Sequence, residues 1–429
     1  MKHMFTPASS RRSFLRKLAA GTAATIAFPT LGMEAGVPRR SALLPSSDNV
    51  NEQYWEMVKR QFAVPDKLMM LNAANLCPAP YAITQSVQSM LTDLGKDVSF
   101  QFRGQFSKTR QVSLEKLSAY LGVSKEEVGI TRNTSESNNI IVNGFDLKAG
   151  DEVIIWDQNH PSNNIAWEQR AKRLGFTVKK VAVPSEPKSE TELMEPFVKA
   201  ITSKTRLIGF SHISNVTGVA MPAKALCTLA REKKILTLVD GAQSFGMVDL
   251  NLRDMGCDFY GGSTHKWLMG PLENGVLYVR KESMDRLWPT MISAGWKETS
   301  TSVDEKLCIV GQRNEATPAA LPETLDFHQS IGKKNIEDRV VALNTYLKEQ
   351  LRLKIPQTVF VTPLAASMSA GITVFNIPGK PSADLFQKLY EIRGIACAST
   401  AGVRLSPHIY NSMTDLDKTI DVLVNLADK

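Results

Sequence analysis

Between Val128 and Val279 the chain alternates short runs of β-branched and aromatic residues with longer stretches whose apolar positions recur every three or four residues. The short runs are Val153–Trp156, Val178–Val183, Leu207–Ser211, Leu236–Asp240, Phe259–Gly261 and Gly275–Val279. They are bounded by polar or glycine-rich turns, as strands buried on both faces are. Helical spacing fills the gaps, at Asn164–Leu174, Met194–Ala200 and Lys224–Lys233. Strand, helix and strand repeated at this interval predict an α/β fold with a mainly parallel central sheet and helices on both faces. Ligands of such sheets bind beyond the carboxyl ends of the strands.

Outside this region, Gln53–Phe62 reads as a short helix, and Leu68–Asn72 as a strand ending at the turn Asn72-Ala73-Ala74-Asn75. Tyr81–Leu121 reads as helical, with Phe100 and Phe102 in a loop between two helices. The composition changes near Glu298–Lys306. A helix over Ile336–Arg352, a strand over Ile372–Ile377 and a helix over Ser382–Glu391 follow, predicting a smaller C-terminal α+β domain. The expected division is a signal and linker over 1–45, a large α/β domain over 46–310 and the small domain over 311–429.

Charge changes the picture only at the amino terminus. The formal net charge is +8, but Lys2, Arg11, Arg12, Arg16, Lys17, Arg39 and Arg40 face only Glu34 in the first 40 residues. The remainder is nearly neutral and gives no electrostatic argument for a nucleic-acid partner. Ser10-Arg11-Arg12-Ser13-Phe14-Leu15-Arg16-Lys17, followed by the apolar run Leu18–Met33, reads as a twin-arginine signal, which implies the twin-arginine export machinery and a periplasmic or otherwise exported location. A basic amphipathic anchor is the alternative, but Gly21, Thr22, Thr25 and Pro29 interrupt a helical stripe. The stretch around Met33-Glu34-Ala35 is a poor cleavage site, so cleavage and retention both stay open. Cys77, Cys227, Cys257, Cys308 and Cys397 have no metal-ligand spacing and read as buried thiols; no metal site is expected.

The strongest chemical signal is Gly261-Gly262-Ser263-Thr264-His265-Lys266-Trp267. The glycines allow close backbone approach, Ser263 and His265 offer hydrogen bonds, and a partly desolvated lysine amine is the form that attacks an aldehyde. Upstream, the strand Leu236–Val239 ends at Asp240-Gly241-Ala242-Gln243. A carboxylate there can reach a pyridinium nitrogen and keep the ring electron-withdrawing; a helix N-cap is the other reading of Asp240.

With these motifs the chain resembles the class V aminotransferase family of pyridoxal 5'-phosphate enzymes, of fold type I, over nearly all of residues 70–420. The resemblance extends through Thr131–Asn139, the family's phosphate-binding turn, which implies phosphate contacts from Thr134 and Ser135. It includes Asn159-His160-Pro161, where His160 would stack on the cofactor ring. Ser211–Gly218 would bring Asn215 to the cofactor's phenolic oxygen, with Gln243 assisting from the other side. Arg313–Pro318 resembles a segment that reaches the neighbouring subunit's phosphate in this fold's dimers, so Thr317 and a homodimer are implied. Val403–Asn411 resembles the segment whose arginine holds the substrate carboxylate, here Arg404. The resemblance thus implies Lys266, Asp240 and His160 as catalytic residues and an amino acid or peptide-linked amino acid as substrate.

The family includes aminotransferases, desulfurases, lyases and epimerases, so fold alone does not select a reaction. His265-Lys266-Trp267 and Arg404-Leu405-Ser406-Pro407-His408 look most like the isopenicillin N epimerase-like branch. Transamination is the expected reaction, because one lysine can move the proton alone, whereas inversion needs a second acid on the other face. Tyr410, Cys77 and Arg103 are the candidates for such an acid. Desulfuration would need a cysteine shortly before Arg404, where Cys397 lies next to the preceding strand and the loop Ala398–Gly402 is short. A non-catalytic exported binding protein would not need Lys266, Asp240, His160 and Arg404 together.

Overall fold

Strand β1 (Met69–Met70) stands apart from the sheet that organises the molecule. That sheet comprises β2 (Val128–Thr131), β3 (Glu152–Trp156), β4 (Thr177–Val181), β5 (Thr205–Ser211), β6 (Leu236–Asp240), β7 (Phe259–Ser263) and β8 (Gly275–Val279). Its order is β2–β8–β7–β6–β5–β3–β4. Strands β4, β3, β5, β6 and β7 pair in parallel, and β8 runs against both its neighbours. The computed structural model describes residues 50–428, and the expected export signal lies outside them.

Alternation along the strands divides the core into two layers. Ile154, Trp156, Ile208, Phe210, Val239 and Tyr260 pack on one face, and Val153, Ile155, Leu207, Leu238 and Phe259 on the other. Each such side chain contributes about 1.5–3 kcal/mol by leaving water, which explains why nearly continuous apolar runs mark these strands.

A second, four-stranded antiparallel sheet lies in the C-terminal part, formed by β9 (Val359–Phe360), β10 (Thr373–Asn376), β12 (Ala398–Ser399) and β13 (Val403–Leu405) in the order β12–β13–β10–β9. Strand β11 (Ile395–Ala396) pairs in parallel with β1. Leu343, Leu347, Leu389, Leu416 and Ile420 join the helices of this part into one apolar cluster.

Two boundaries differ from expectation. Phe100 and Phe102 lie in the first turn of the helix Phe100–Leu121, not in a loop. Ser99 caps that helix by accepting from the Phe102 N–H at 3.2 Å, so the break between helices falls at 97–99. The strand over Leu68–Asn72 contracts to Met69–Met70 and joins the C-terminal layer through β11. The helices Ala316–Ala319 and Leu321–Ile331 pack against Phe100–Leu121. All described residues fall in one compact unit.

Candidate active site

The parallel register sets the carboxyl ends of β5, β6 and β7 side by side, with Ser211 opposite Asp240 and Asp240 opposite Gly261. Asp240 is buried, and both carboxylate oxygens are held. Oδ2 accepts from Asn138 Nδ2 at 2.8 Å and Oδ1 from the Ala242 N–H at 3.0 Å. Glycine follows for a steric reason: a Cβ on Gly241 would lie 1.9 Å from Cζ of Tyr260.

Opposite Asp240, the helix Thr134–Gly144 opens with its N-terminus at the end of β2, capped by Asn133, whose side chain accepts from the Glu136 N–H at 2.9 Å. The Thr134 N–H donates to Ser263 Oγ at 2.8 Å, and the two hydroxyls lie 2.7 Å apart. Ser135 Oγ, exposed, lies 3.3 Å from Ser162 Oγ, which is 2.8 Å from His160 Nδ1. Hydroxyls gathered at a helix N-terminus make an anion-receiving end.

Lys266 sits in the turn after β7, and its neighbours fix that turn from several sides. The Cys77 N–H donates to His265 O at 2.9 Å. The Trp267 carbonyl lies 2.8 Å from His408 Nε2, and its indole N–H donates to Gln243 Oε1 at 2.8 Å. Gln243 Nε2 in turn donates to Ala74 O at 2.9 Å. Burial lowers the pKa of Lys266 from lysine's ordinary value; Asp240 opposes this and the Arg404 charge adds to it. Burial, and then the Lys266 charge, push His265 down to about 4. His160 stands exposed at the rim, its pKa lowered first by loss of solvent and then by Lys266.

Arg404, on β13, is 5 % exposed. Nη1 donates to Asn215 O at 2.8 Å and Nη2 to Asn72 Oδ1 at 2.9 Å, while Nε is closed to solvent without a partner. Burial pushes its pKa down to about 10. No acidic side chain pairs with it among the described residues.

The structure therefore brings Lys266, Asp240, His160, Thr134, Ser135, Ser263, His265 and Arg404 into one site. Asn215 is half-buried there, with its carbonyl spent on Arg404. Gln243 is buried, and its amide ties the Lys266 turn to Ala74. Thr317 sits beside Asn274, whose Nδ2 donates to Thr317 O at 2.6 Å, and its hydroxyl has no partner among the described residues. Asn138 and Asn72 join the site without having been singled out by sequence. Asn138 lies four residues after Thr134, hence on the same helical face, and that spacing is the available signal.

These groups fit pyridoxal phosphate. An anion-receiving helix start and a buried carboxylate face each other across the strand ends, a desolvated lysine lies within reach of that carboxylate, and an unpartnered buried guanidinium nitrogen awaits an acceptor. The family model described as aminotransferase class-V matches residues 74–420. The chain belongs to the class V aminotransferases. As in that family, its cofactor is pyridoxal phosphate. Among class V relatives, the isopenicillin N epimerase of Amycolatopsis lactamdurans is 28 % identical over 397 residues, covering 87 % of this chain and 98 % of that protein. Two solved structures share the fold. The apo cysteine desulfurase of Thermococcus onnurineus has a TM-score of 0.78 at 22 % identity, covering 89 % of this chain and 99 % of that one. The cystine C–S lyase C-DES, solved as a variant with glycine covalently linked to its pyridoxal-phosphate cofactor, has a TM-score of 0.77 at 21 % identity, covering 86 % and 99 %.

Proposed function

We propose that this class V enzyme is an aminotransferase acting on the α-amino group of an amino acid, free or linked to a peptide. The observation that carries the reading is Arg404, a buried guanidinium with no carboxylate partner among the described residues, near enough to Lys266 for its charge to depress the lysine's pKa. A substrate α-carboxylate supplies the missing anion in a bidentate pair and so orients the neighbouring Cα–H bond.

Pyridoxal phosphate, when bound, supplies an electron sink for the pair released as a bond to Cα breaks. Lys266 would hold the cofactor and then act as the base that takes the Cα proton, a role its burial favours by stabilising the neutral amine. Asp240, fixed by Asn138 and the Ala242 N–H, would face the ring nitrogen. Thr134, Ser135 and Ser263 would receive the phosphate, and His160 would cover one face of the ring.

Transamination is favoured because Tyr410, Cys77 and Arg103, the candidates for an acid on the second face, are each engaged with another group. Tyr410 donates to Cys77 Sγ at 3.4 Å, both are buried, and burial raises the Cys77 thiol to about 12. Arg103 pairs with Glu315 through Nε at 2.8 Å and Nη2 at 3.1 Å. Against desulfuration, Cys397 is buried with its thiol raised to about 12, and the loop beyond it is closed by Thr400 Oγ1 donating to Val216 O at 2.9 Å. Epimerisation is the second reading, favoured by the epimerase relative that aligns over 98 % of its length.

The two readings separate in deuterated water. Holoenzyme is incubated with a panel of amino acids and side-chain-linked peptides in the absence of any oxo acid. An oxo acid formed in proportion to enzyme supports transamination; deuterium entering Cα without oxo acid overturns it in favour of epimerisation. We further infer a homodimer, on the resemblance around Thr317, and export by the twin-arginine route, on the Arg11-Arg12 pattern.

A further inference from the structure

The Arg404 guanidinium is held by two neutral oxygens contributed by two separate segments of the large sheet's surroundings. One is the main-chain carbonyl of Asn215, which side-chain substitution cannot remove. The other is Asn72 Oδ1, at 2.9 Å from Nη2, contributed from 332 residues away. Both satisfy a donor without cancelling the charge, whereas a carboxylate in either place would close a bidentate ion pair and consume the cation. Neither titratable neighbour of Arg404 is a carboxylate: they are Lys266 and Cys397, whose thiol burial raises to about 12. The main chain of Asn72 is engaged elsewhere, since its carbonyl accepts from the Asn75 and Leu76 N–H groups and the residue bridges to Ser406.

We propose that Asn72 is a positioning residue, holding Arg404 in place as an unneutralised cation and thereby restricting the enzyme to amines that carry a carboxylate on the same carbon. This rests on the reading that Arg404 binds the substrate carboxylate. An aspartate at position 72 would occupy Arg404 itself. An alanine would free one Nη2 proton in a buried place and let the guanidinium turn.

The test uses holoenzyme, wild type and the variants Asn72→Ala, Asn72→Ser and Asn72→Asp. The probes are whichever of the twenty common L-amino acids the wild type consumes fastest, and the amine made by decarboxylating it. Crystal structures of Asn72→Ala and Asn72→Asp report the Arg404 position independently of activity, and Asn72→Ser stands in for Asn72→Ala if that variant does not fold. The expected result is a displaced guanidinium in Asn72→Ala and an Asp–Arg404 pair in Asn72→Asp. For the amino acid, kcat/KM should fall about 10- to 100-fold, the effect of losing one charged hydrogen bond. The preference for the amino acid over its amine should collapse in Asn72→Asp, a change that a merely structural role would not produce. An Arg404 unmoved in Asn72→Ala, with kcat/KM within about twofold of wild type, overturns the proposal, as does a fall in kcat/KM with the amino-acid preference intact. If wild type consumes no amino acid at all, the failure belongs to the aminotransferase reading, and the Arg404 positions still decide the role of Asn72.

Discussion

Asn138 and Asp240, 102 residues apart in sequence, meet at 2.8 Å in the floor of the site, the amide donating to the carboxylate. The contact joins the start of the helix Thr134–Gly144, proposed above to receive the phosphate, to the end of β6, whose Asp240 would face the ring nitrogen.

Asn138→Ala leaves one oxygen of a buried carboxylate without its donor. A hydrogen bond to a charged group contributes about 1.5–3 kcal/mol, so kcat should fall about 10- to 100-fold. Steady-state kinetics together with cofactor titration check this. Unchanged kcat would mean that the Ala242 N–H alone holds Asp240.

Gly241→Ala forces a methyl group into the ring of Tyr260, which is wholly buried and cannot swing into solvent. Overpacking of this kind costs about 1–3 kcal/mol. The melting temperature should drop, and cofactor affinity with it, since Asp240 adjoins the clash. Calorimetry of apo and holo forms measures both.

The lowered pKa of Lys266 has a sign that can be checked. Burial disfavours the ammonium and Arg404 disfavours it further, so the neutral amine appears at a lower pH than for free lysine, whose reference value is 10.5. The rate at which apoenzyme recombines with pyridoxal phosphate should therefore rise with pH and level off below that value. Arg404→Gln removes a neighbouring positive charge, so the midpoint should move to higher pH. Stopped-flow absorbance follows the reaction, and a midpoint that stays put or moves down would contradict the assignment. By the same electrostatics, a carboxylate bound at Arg404 makes Lys266 a stronger base when the Cα proton must leave.

Much of this architecture is legible in the sequence because burial on both faces writes itself there as apolar runs. The six short strands from Val153 to Val279 fall within a few residues of their expected places, and the glycine-flanked Lys266 and strand-ending Asp240 lie at adjacent strand ends. Long-range partners are not legible. Nothing in the local pattern says that Asn72 meets Arg404, or that Asn138 meets Asp240: the first follows from the bridge of Asn72 to Ser406 just beyond β13, the second from the helix Thr134–Gly144 packing on β6. The helix start at Phe100 escapes a reading that weighs two aromatics over a cap: Ser99 accepts from Phe102, and Asp97 Oδ1 from the Ser99 N–H at 2.9 Å.

The central claim is that Lys266 carries the cofactor, and reduction of the holoenzyme with borohydride followed by mass analysis of its peptides tests it directly. Lys348 is the informative competitor, a second buried lysine lowered to about 8 by burial and donating to Pro363 O at 2.9 Å and Ser369 Oγ at 2.7 Å. The account predicts a pyridoxyl label on the peptide containing Lys266 and none in Lys266→Ala. A label on Lys348 or any other lysine, or one that persists in Lys266→Ala, would contradict it.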